Sequence, residues 1–502
     1  MSRVLAAIAA HARSQPKAIA LEAREARLSY AELEIAIEAL ARTLTARGFR
    51  TVALLADNGL GWALADLAAL RAGLRLVPLP PFFSPRQMAH ALRSAGAEAV
   101  LVDPRLALNQ QLSPLPAEPL SLGYCGTVLS LQRLPAAGPA PQLPEGTCKI
   151  TYTSGTTGEP KGVCLGAEEM ERVAAALAQA SRAVPGDRHL GVLPLSTLLE
   201  NLGGLYAPLL AGATACLWPM AEVGLRGAAG LDVRMLREAL DVARASSAIL
   251  VPQMLQALVE AIEAGLPRPP HLRFVAVGGA PLAPRLLQRA QALGLPVFEG
   301  YGLSECASVI ALSTPDAQRA GSVGRPLPHV RLEFAADGEI LVSGNGFRGY
   351  VGEPPRDPQA PVPTGDIGYL DSNGFLCLTG RKKNMFVTAF GRNVAPEWVE
   401  RELCLHPAIA QAAVFGEARP WNTAVIVPRA GQDMASIAAA IEAVNAELPD
   451  YARIRRWLPA TQAFTPANGQ LTPNGRLRRA SILAQYGAAI ESLYEETSDE
   501  LL

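Results

Sequence analysis

The chain has 502 residues, enough for about two to four domains at roughly 100–200 residues each and for a large buried core. Its 45 Lys+Arg and 46 Asp+Glu nearly cancel, so no global positive field exists to hold nucleic acid or an anionic membrane, and partner charge must be met locally. Seven cysteines without a C-x-x-C pair and six scattered histidines argue against a disulfide framework and against a zinc site.

The N-terminus, MSRVLAAIAAHARSQ, begins like a signal peptide, but its apolar run (residues 4–10) is short and is followed by Arg13, Ser14 and Gln15, so a surface helix is expected. No apolar run reaches about 18 residues and no N-x-S/T sequon occurs, which points to a cytoplasmic chain with no transmembrane segment. As far as about residue 371, β-rich runs (TVALLA, AVLVD, SAILVP, RFVAVGG) alternate with helical stretches (LADLAALRAG, VRMLREALDVARAS), the pattern of parallel sheets covered by helices. The Pro/Ala/Gly-rich stretch 135–144 is expected as a surface connection within this α/β domain. Over 321–378, short strands separated by Gly turns predict a small antiparallel β-barrel. Residues 381–502 carry their own helices (PEWVERELCLH, ASIAAAIEAVNAEL) and strands (QAAVFG, TAVIVP). They form a small C-terminal α/β domain after a large N-terminal domain, 1–380, and end in a frayed acidic tail.

The most informative stretch is ITYTSGTTGEPKGV. A β run empties into Thr153, Ser154, Gly155, Thr156, Thr157 and Gly158, and Lys161 follows, so hydroxyls, backbone N–H groups and one ammonium gather within nine residues. Glycines let the backbone approach a polyphosphate, the hydroxyl and N–H groups donate to it, and the lysine supplies charge. No Gly-Lys-Ser/Thr triplet follows at Walker A spacing. A plain polar hairpin would explain the Gly and Thr residues but not Lys161.

This string resembles the phosphate-loop signature of the adenylate-forming (AMP-binding) superfamily, which includes acyl-CoA synthetases, peptide-synthetase adenylation domains and luciferases. Further resemblances follow in the family's order: Gly278-Gly279-Ala280-Pro281-Leu282, Glu299-Gly300-Tyr301-Gly302-Leu303-Ser304-Glu305, Thr364-Gly365-Asp366 and Gly380-Arg381-Lys382-Lys383. Gly391-Arg392-Asn393 opens a segment similar to the loop of the thiol tunnel. The resemblance implies ATP, Mg2+ and CoA as the small molecules handled, with a carboxylic acid as the second substrate. It implies nucleotide contacts from Thr153 to Gly158, from Gly279, Ala280 and Pro281, and from Glu299 to Gly302 with Ser304, Asp366 and Arg381. Catalytic roles fall on Lys161, Glu305 and Arg476, a hinge on Lys383, and a mobile small domain on the residues after it.

Each assignment has a physical reason. Tyr301 offers a flat face for adenine, worth about 1–3 kcal/mol on the scale of base stacking. Glu299 can accept from the exocyclic amine, and the resemblance implies that Ser304 lies near the α-phosphate. Glu305 is a hard oxygen ligand suited to the magnesium that travels with ATP. Asp366 can accept from both ribose hydroxyls, and Arg381 donates to the same sugar as a rigid fork.

One decoy and two departures qualify the resemblance. Gly344-Asn345-Gly346-Phe347-Arg348-Gly349 fits G-x-G-x-x-G, with Asp366 twenty residues beyond the middle glycine, but the Pro-rich YVGEPPRDP that follows cannot form the helix a dinucleotide site requires. Thr197, in LPLSTLLEN, stands where long-chain synthetases tend to carry histidine. Arg476 stands where the family places a lysine that bridges the carboxylate and the α-phosphate, replacing a compact point charge with a planar fork. The leading reading is an ATP-dependent acid:CoA ligase acting through acyl-AMP, with a fatty acid as the acid. The competing readings are an acyl-AMP ligase that loads a carrier-protein phosphopantetheine and a non-catalytic nucleotide or acyl-binding homologue. The short connection between Ser343 and Thr364 argues against the carrier-protein reading, and the intact phosphate loop argues against the non-catalytic one.

Overall fold

A computed structural model describes residues 2–24, 26–106, 117–121, 128–135, 141–153, 160–226, 230–472 and 475–495. The large domain is built on two sheets. An eight-stranded sheet runs in the order Gly349–Tyr350, Lys161–Leu165, Lys149–Thr153, Arg75–Pro78, Thr51–Leu55, Ala99–Val102, Val128–Arg133, Ala117–Ser121. A nine-stranded sheet holds Arg188–Leu190, Ser247–Leu250, Phe274–Val277 and Val297–Leu303 as consecutive or near-consecutive neighbours at its centre. Thr51–Leu55 is buried along its whole length and pairs in parallel on both sides, which is why it reads as a continuous apolar run.

The expected N-terminal helix is Arg3–Ser14, and its Val4, Ile8 and Ala12, spaced one helical turn apart, are buried. Its open N-terminus is closed by the Glu171 carboxylate, which accepts from the backbone N–H groups of Arg3 (2.9 Å) and Val4 (3.3 Å). The segment 321–378, expected as a small barrel, supplies all but the last three residues of the four-stranded antiparallel sheet Arg331–Phe334, Glu339–Ser343, Val362–Leu370, Leu376–Arg381. The G-x-G-x-x-G decoy leads into no helix. Its last glycine begins the short strand Gly349–Tyr350, which pairs antiparallel with Lys161–Leu165.

A buried charge network anchors the strand that leads to the phosphate loop. Lys149 Nζ lies 2.6 Å from Asp66 on the helix Leu60–Ala72, and the same carboxylate accepts the Tyr206 hydroxyl at 2.7 Å. Removing either charge would strand the other in a dry interior, a loss of about 3–5 kcal/mol. The small domain has a three-stranded sheet, Ile409–Phe415, Asn422–Pro428, Ile454–Pro459, flanked by the helices Pro396–Cys404, Met434–Asn445 and Arg479–Glu495.

Candidate active site

The strands Lys149–Thr153, Ser247–Leu250, Phe274–Val277 and Val297–Leu303 run out into one cleft of about 2150 Å³, the usual place for a ligand at the C-terminal edge of an open α/β sheet. Of the expected site residues, the cleft is lined by Thr153, Lys161, Gly279, Ala280, Pro281, Glu299, Gly300, Tyr301, Gly302, Ser304, Glu305, Asp366, Arg381, Lys383 and Arg476. Ser154, Gly155, Thr156, Thr157 and Gly158 lie outside the described residues, as do the end of the acidic tail and residues 136–140 of the Pro-rich connection. Gly391 and Arg392 belong to the turn between Phe386–Val387 and Asn393–Val394, and Asn393 begins the second of these strands. Gly391 N closes the turn by donating to the Thr388 carbonyl (2.9 Å), and neither Gly391 nor Arg392 is among the described residues that line the cleft.

The period of two along Val297–Leu303 aims Glu299 and Tyr301 at the cleft, while Gly300 and Gly302 alternate with them. At Gly302 a Cβ would overlap the Ser308 carbonyl oxygen, so only glycine allows the return strand to pass this closely. The turn between these strands carries Glu305 and puts two non-glycine residues, Ala307 (φ 54°) and Ser308 (φ 96°), in left-handed backbone conformations. Strain of this kind, of order 1–3 kcal/mol per residue, is typical of site loops held by their surroundings.

Tyr301 donates its hydroxyl to Asp366 Oδ2 at 2.7 Å, and Arg381 Nε lies 2.8 Å from Asp366 Oδ1. Asp366 and Arg381 face each other across the antiparallel pair Val362–Leu370 and Leu376–Arg381, so the register of one hairpin creates the pair. Burial, then the Asp366 charge, pushes the Tyr301 phenol well above its ordinary range, which keeps it a donor. Glu299 accepts from Leu282 N (3.3 Å); burial pushes its carboxyl up to about 7 against the opposing pull of Arg401 and that N–H. Glu305 accepts from the Tyr350 hydroxyl at 2.9 Å, and Lys161 Nζ lies 3.3 Å from Glu353. Sequence reasoning missed Tyr350 and Glu353, because only the long-range pairing of Gly349–Tyr350 with Lys161–Leu165 brings them here.

The cleft continues past Thr197, Leu177, Gly203 and Ile249. Thr197 donates its hydroxyl to the Pro194 carbonyl (2.7 Å), so this side chain braces its own turn. Behind it, buried Glu200 accepts from Leu193 N at 3.2 Å and lies 3.1 Å from His189 Nε2, a pair the sequence did not disclose. Burial raises the Glu200 pKa above the ordinary carboxyl value, with His189 opposing.

Arg476 reaches in from the small domain, and its Nη2 donates to the Gly279 carbonyl at 3.1 Å. The side chain faces the open cleft yet is walled by protein. That enclosure, with Arg381 nearby, draws its pKa below the usual guanidinium value, while Asp366, Glu305 and Tyr301 pull the other way. These neighbours show that the two domains meet with Arg476 on the side of the cleft that carries Tyr301, Glu305, Asp366 and Arg381. On either side of Lys383 the chain is tied to different bodies. Lys382 Nζ lies 2.5 Å from Asp337 and 2.8 Å from Glu339 of the large domain, and Asn384 Nδ2 donates to Glu397 on the small domain's first helix.

The model of the AMP-binding enzyme family matches residues 8–351, and that of the AMP-binding enzyme C-terminal domain matches residues 383–498. The chain is 29% identical over 522 aligned positions to a long-chain-fatty-acid–CoA ligase, FadD15, of Mycobacterium bovis, covering 87% of this chain and 86% of the relative. It is 30% identical to an indoleacetate–CoA ligase of Aromatoleum aromaticum, covering 84% and 88%. In fold it is similar to the anthranilate CoA ligase AuaEII in complex with anthranoyl-AMP, with a TM-score of 0.80 and 19% identity over 97% of this chain and 98% of that one. It is also similar to the o-succinylbenzoate CoA synthetase of Bacillus subtilis in complex with ATP and magnesium, with a TM-score of 0.76 and 23% identity over 96% and 99%. With both of its domains matched and most of the described motif residues gathered in one cleft, the chain belongs to the AMP-binding enzyme family, within the adenylate-forming superfamily.

Proposed function

We propose that the chain joins a fatty acid to CoA in the cytoplasm. As an AMP-forming acid–thiol ligase, it works in two steps. The acid's carboxylate attacks the α-phosphorus of ATP and expels pyrophosphate, and the CoA thiol then attacks the acyl carbonyl and expels AMP. The observation that carries this reading is the meeting of Arg476 with Glu305, Asp366 and Arg381 in one cleft, where a cation from the small domain stands beside the groups suited to ribose and metal.

In this reading Tyr301 stacks on adenine and Glu299 accepts from its amine. Asp366 and Arg381 hold the ribose, with Ser304 at the α-phosphate. The loop Thr153 to Gly158 and Lys161 hold the β and γ phosphates. Glu305 would hold a magnesium ion through its carboxylate, and the ion would supply neutralisation of the phosphate charge. Arg476 bridges the incoming carboxylate and an α-phosphate oxygen, so that positioning and electrostatics supply most of the rate. The chain divides into domains 1–380 and 381–502. The small domain turns about Lys383 and brings Gly391, Arg392 and Asn393 to the thiol side for the second step.

The named substrates of the two relatives, a long-chain fatty acid and indoleacetate, share a carboxylate on an apolar body. Leu177, Gly203, Ala207 and Ile249 give the inner cleft a surface that accepts one. The test is pyrophosphate release and acyl-CoA formation across fatty, aryl and amino acids. The expected result is turnover of fatty acids with CoA. Turnover restricted to aryl acids would refute the fatty-acid assignment, and acyl-AMP that is passed only to a carrier-protein phosphopantetheine would refute CoA as the acceptor.

A further inference from the structure

Lys161 does not stand free in the cleft. Its Nζ lies 3.3 Å from Glu353 Oε1 and 4.8 Å from the centre of the Tyr350 ring, and both partners line the same cleft. The backbone fixes this arrangement. Tyr350 pairs with Val163 two residues beyond Lys161, Val351 N donates to the Gly162 carbonyl at 2.8 Å, and Glu353 N donates back to the Tyr350 carbonyl at 3.1 Å. That turn brings the Glu353 carboxylate onto the ammonium, which itself stands over the Tyr350 ring. Tyr350 also donates its hydroxyl to Glu305 at 2.9 Å. One five-residue segment, 349–353, therefore holds both a cation suited to phosphate and a carboxylate suited to magnesium.

We infer that Glu353 is the resident counter-ion of Lys161, holding its ammonium while the cleft is empty, and that the terminal phosphates of ATP must displace it in order to bind. This rests on the reading of Lys161 as the ligand of those phosphates. A carboxylate beside an incoming polyphosphate opposes binding twice: its ion pair must break, and its charge then faces another of the same sign. Both side chains are about half exposed, so the effect is moderate; ion pairs of this kind shift an equilibrium by up to about fivefold, and the repulsion adds to that. Burial, then Glu305 and Glu353, raise the pKa of the Tyr350 phenol above its usual range, so it stays a neutral donor between the two carboxylates.

The test is calorimetric binding of Mg-ATP and, separately, of AMP to the full chain and to Glu353→Gln, with a melting curve to establish that both are folded. AMP lacks the phosphates assigned to Lys161, so it reports any change unrelated to the pair. The expected result is Mg-ATP binding about three- to tenfold tighter in Glu353→Gln, with AMP binding unchanged and the gain shrinking at high salt. Unchanged Mg-ATP binding overturns the inference. Weaker binding overturns it in favour of Glu353 as a magnesium ligand, and equal tightening of AMP overturns it in favour of diffuse repulsion. A parent chain that binds AMP but not Mg-ATP refutes the phosphate role of Lys161 itself, whereas a parent that binds both while Glu353→Gln changes nothing refutes only the counter-ion.

Discussion

Arg476→Ala separates what this residue does for the fold from what it does for the reaction. Among the described residues its side chain makes one hydrogen bond, to the Gly279 carbonyl at 3.1 Å. Its backbone is held independently: Arg476 N donates to Thr472 Oγ1 (3.0 Å) and Thr472 N donates to the Arg476 carbonyl (2.7 Å), and alanine keeps both. Losing one solvent-reached bond costs about 1 kcal/mol or less. The chemical step should suffer far more, because a donor aimed at charge that develops only in the transition state is worth about 2.7–4 kcal/mol, or roughly a hundred- to a thousandfold in rate. The assay measures the two half-reactions apart, pyrophosphate release from acid plus ATP and acyl-CoA from supplied acyl-AMP plus CoA. The first should fall about a hundredfold or more and the second should be spared, with Arg476→Lys retaining adenylation. An alanine variant that adenylates at the parent's rate, or that loses both half-reactions equally, would refute the reasoning.

Three further outcomes are expected. Lys383→Pro, which fixes φ at the junction between the ties of Lys382 and Asn384, should slow the CoA step at least about tenfold more than adenylation; equal losses would contradict a hinge there. Glu299 keeps its proton to about pH 7 when folded, against 4.5 for an ordinary carboxyl, so it costs stability as pH rises through that window. Glu299→Gln should therefore reduce the parent's loss of unfolding free energy between pH 4.5 and 7 by about 3 kcal/mol, measured by denaturant titration. Gly302→Ala drives a Cβ into the Ser308 carbonyl, where backbone cannot yield; a loss of about 2–4 kcal/mol should accompany loss of adenylation, and a wild-type melting temperature would refute the close approach.

The residues that line the candidate site could be picked out one by one, because Tyr301, Glu305, Asp366 and Arg381 each sit in a short string with its own chemistry. Their relations were not. The Asp366–Arg381 pair depends on the register of a hairpin, and the Tyr301–Asp366 bond joins strands 65 residues apart. Tyr350 and Glu353 sit in a Pro/Gly-rich stretch whose only informative reading was negative, that it cannot be a helix. Its partner strand is nearly two hundred residues away, and a local pattern carries no trace of such a pairing. The π-helical turn Asn201–Tyr206 escaped for a related reason. Its two glycines interrupt any apolar period, and their purpose emerges only where Gly203 meets Ile249 and Gly204 meets Glu200. The α/β character of the large domain was legible because buried parallel strands are apolar throughout and the covering helices follow them in alternation.

The way the small domain rests on the large one makes their association sensitive to ionic strength. Among the described residues its apolar clusters are assembled from residues 386–494, and Leu405 is the apolar side chain that packs into the large domain's second cluster. Polar ties across the joint include Arg429 to Glu260 at 3.2 Å, Arg285 to Glu447, Gln256 Nε2 to the Cys404 carbonyl at 3.4 Å, and Arg476 to Gly279. Water and counter-ions can replace each of these on release, which a buried apolar seam would not permit. A joint held by exposed ion pairs and single hydrogen bonds weakens as dissolved salt rises, so ionic strength becomes a variable that tunes how firmly the two domains hold each other.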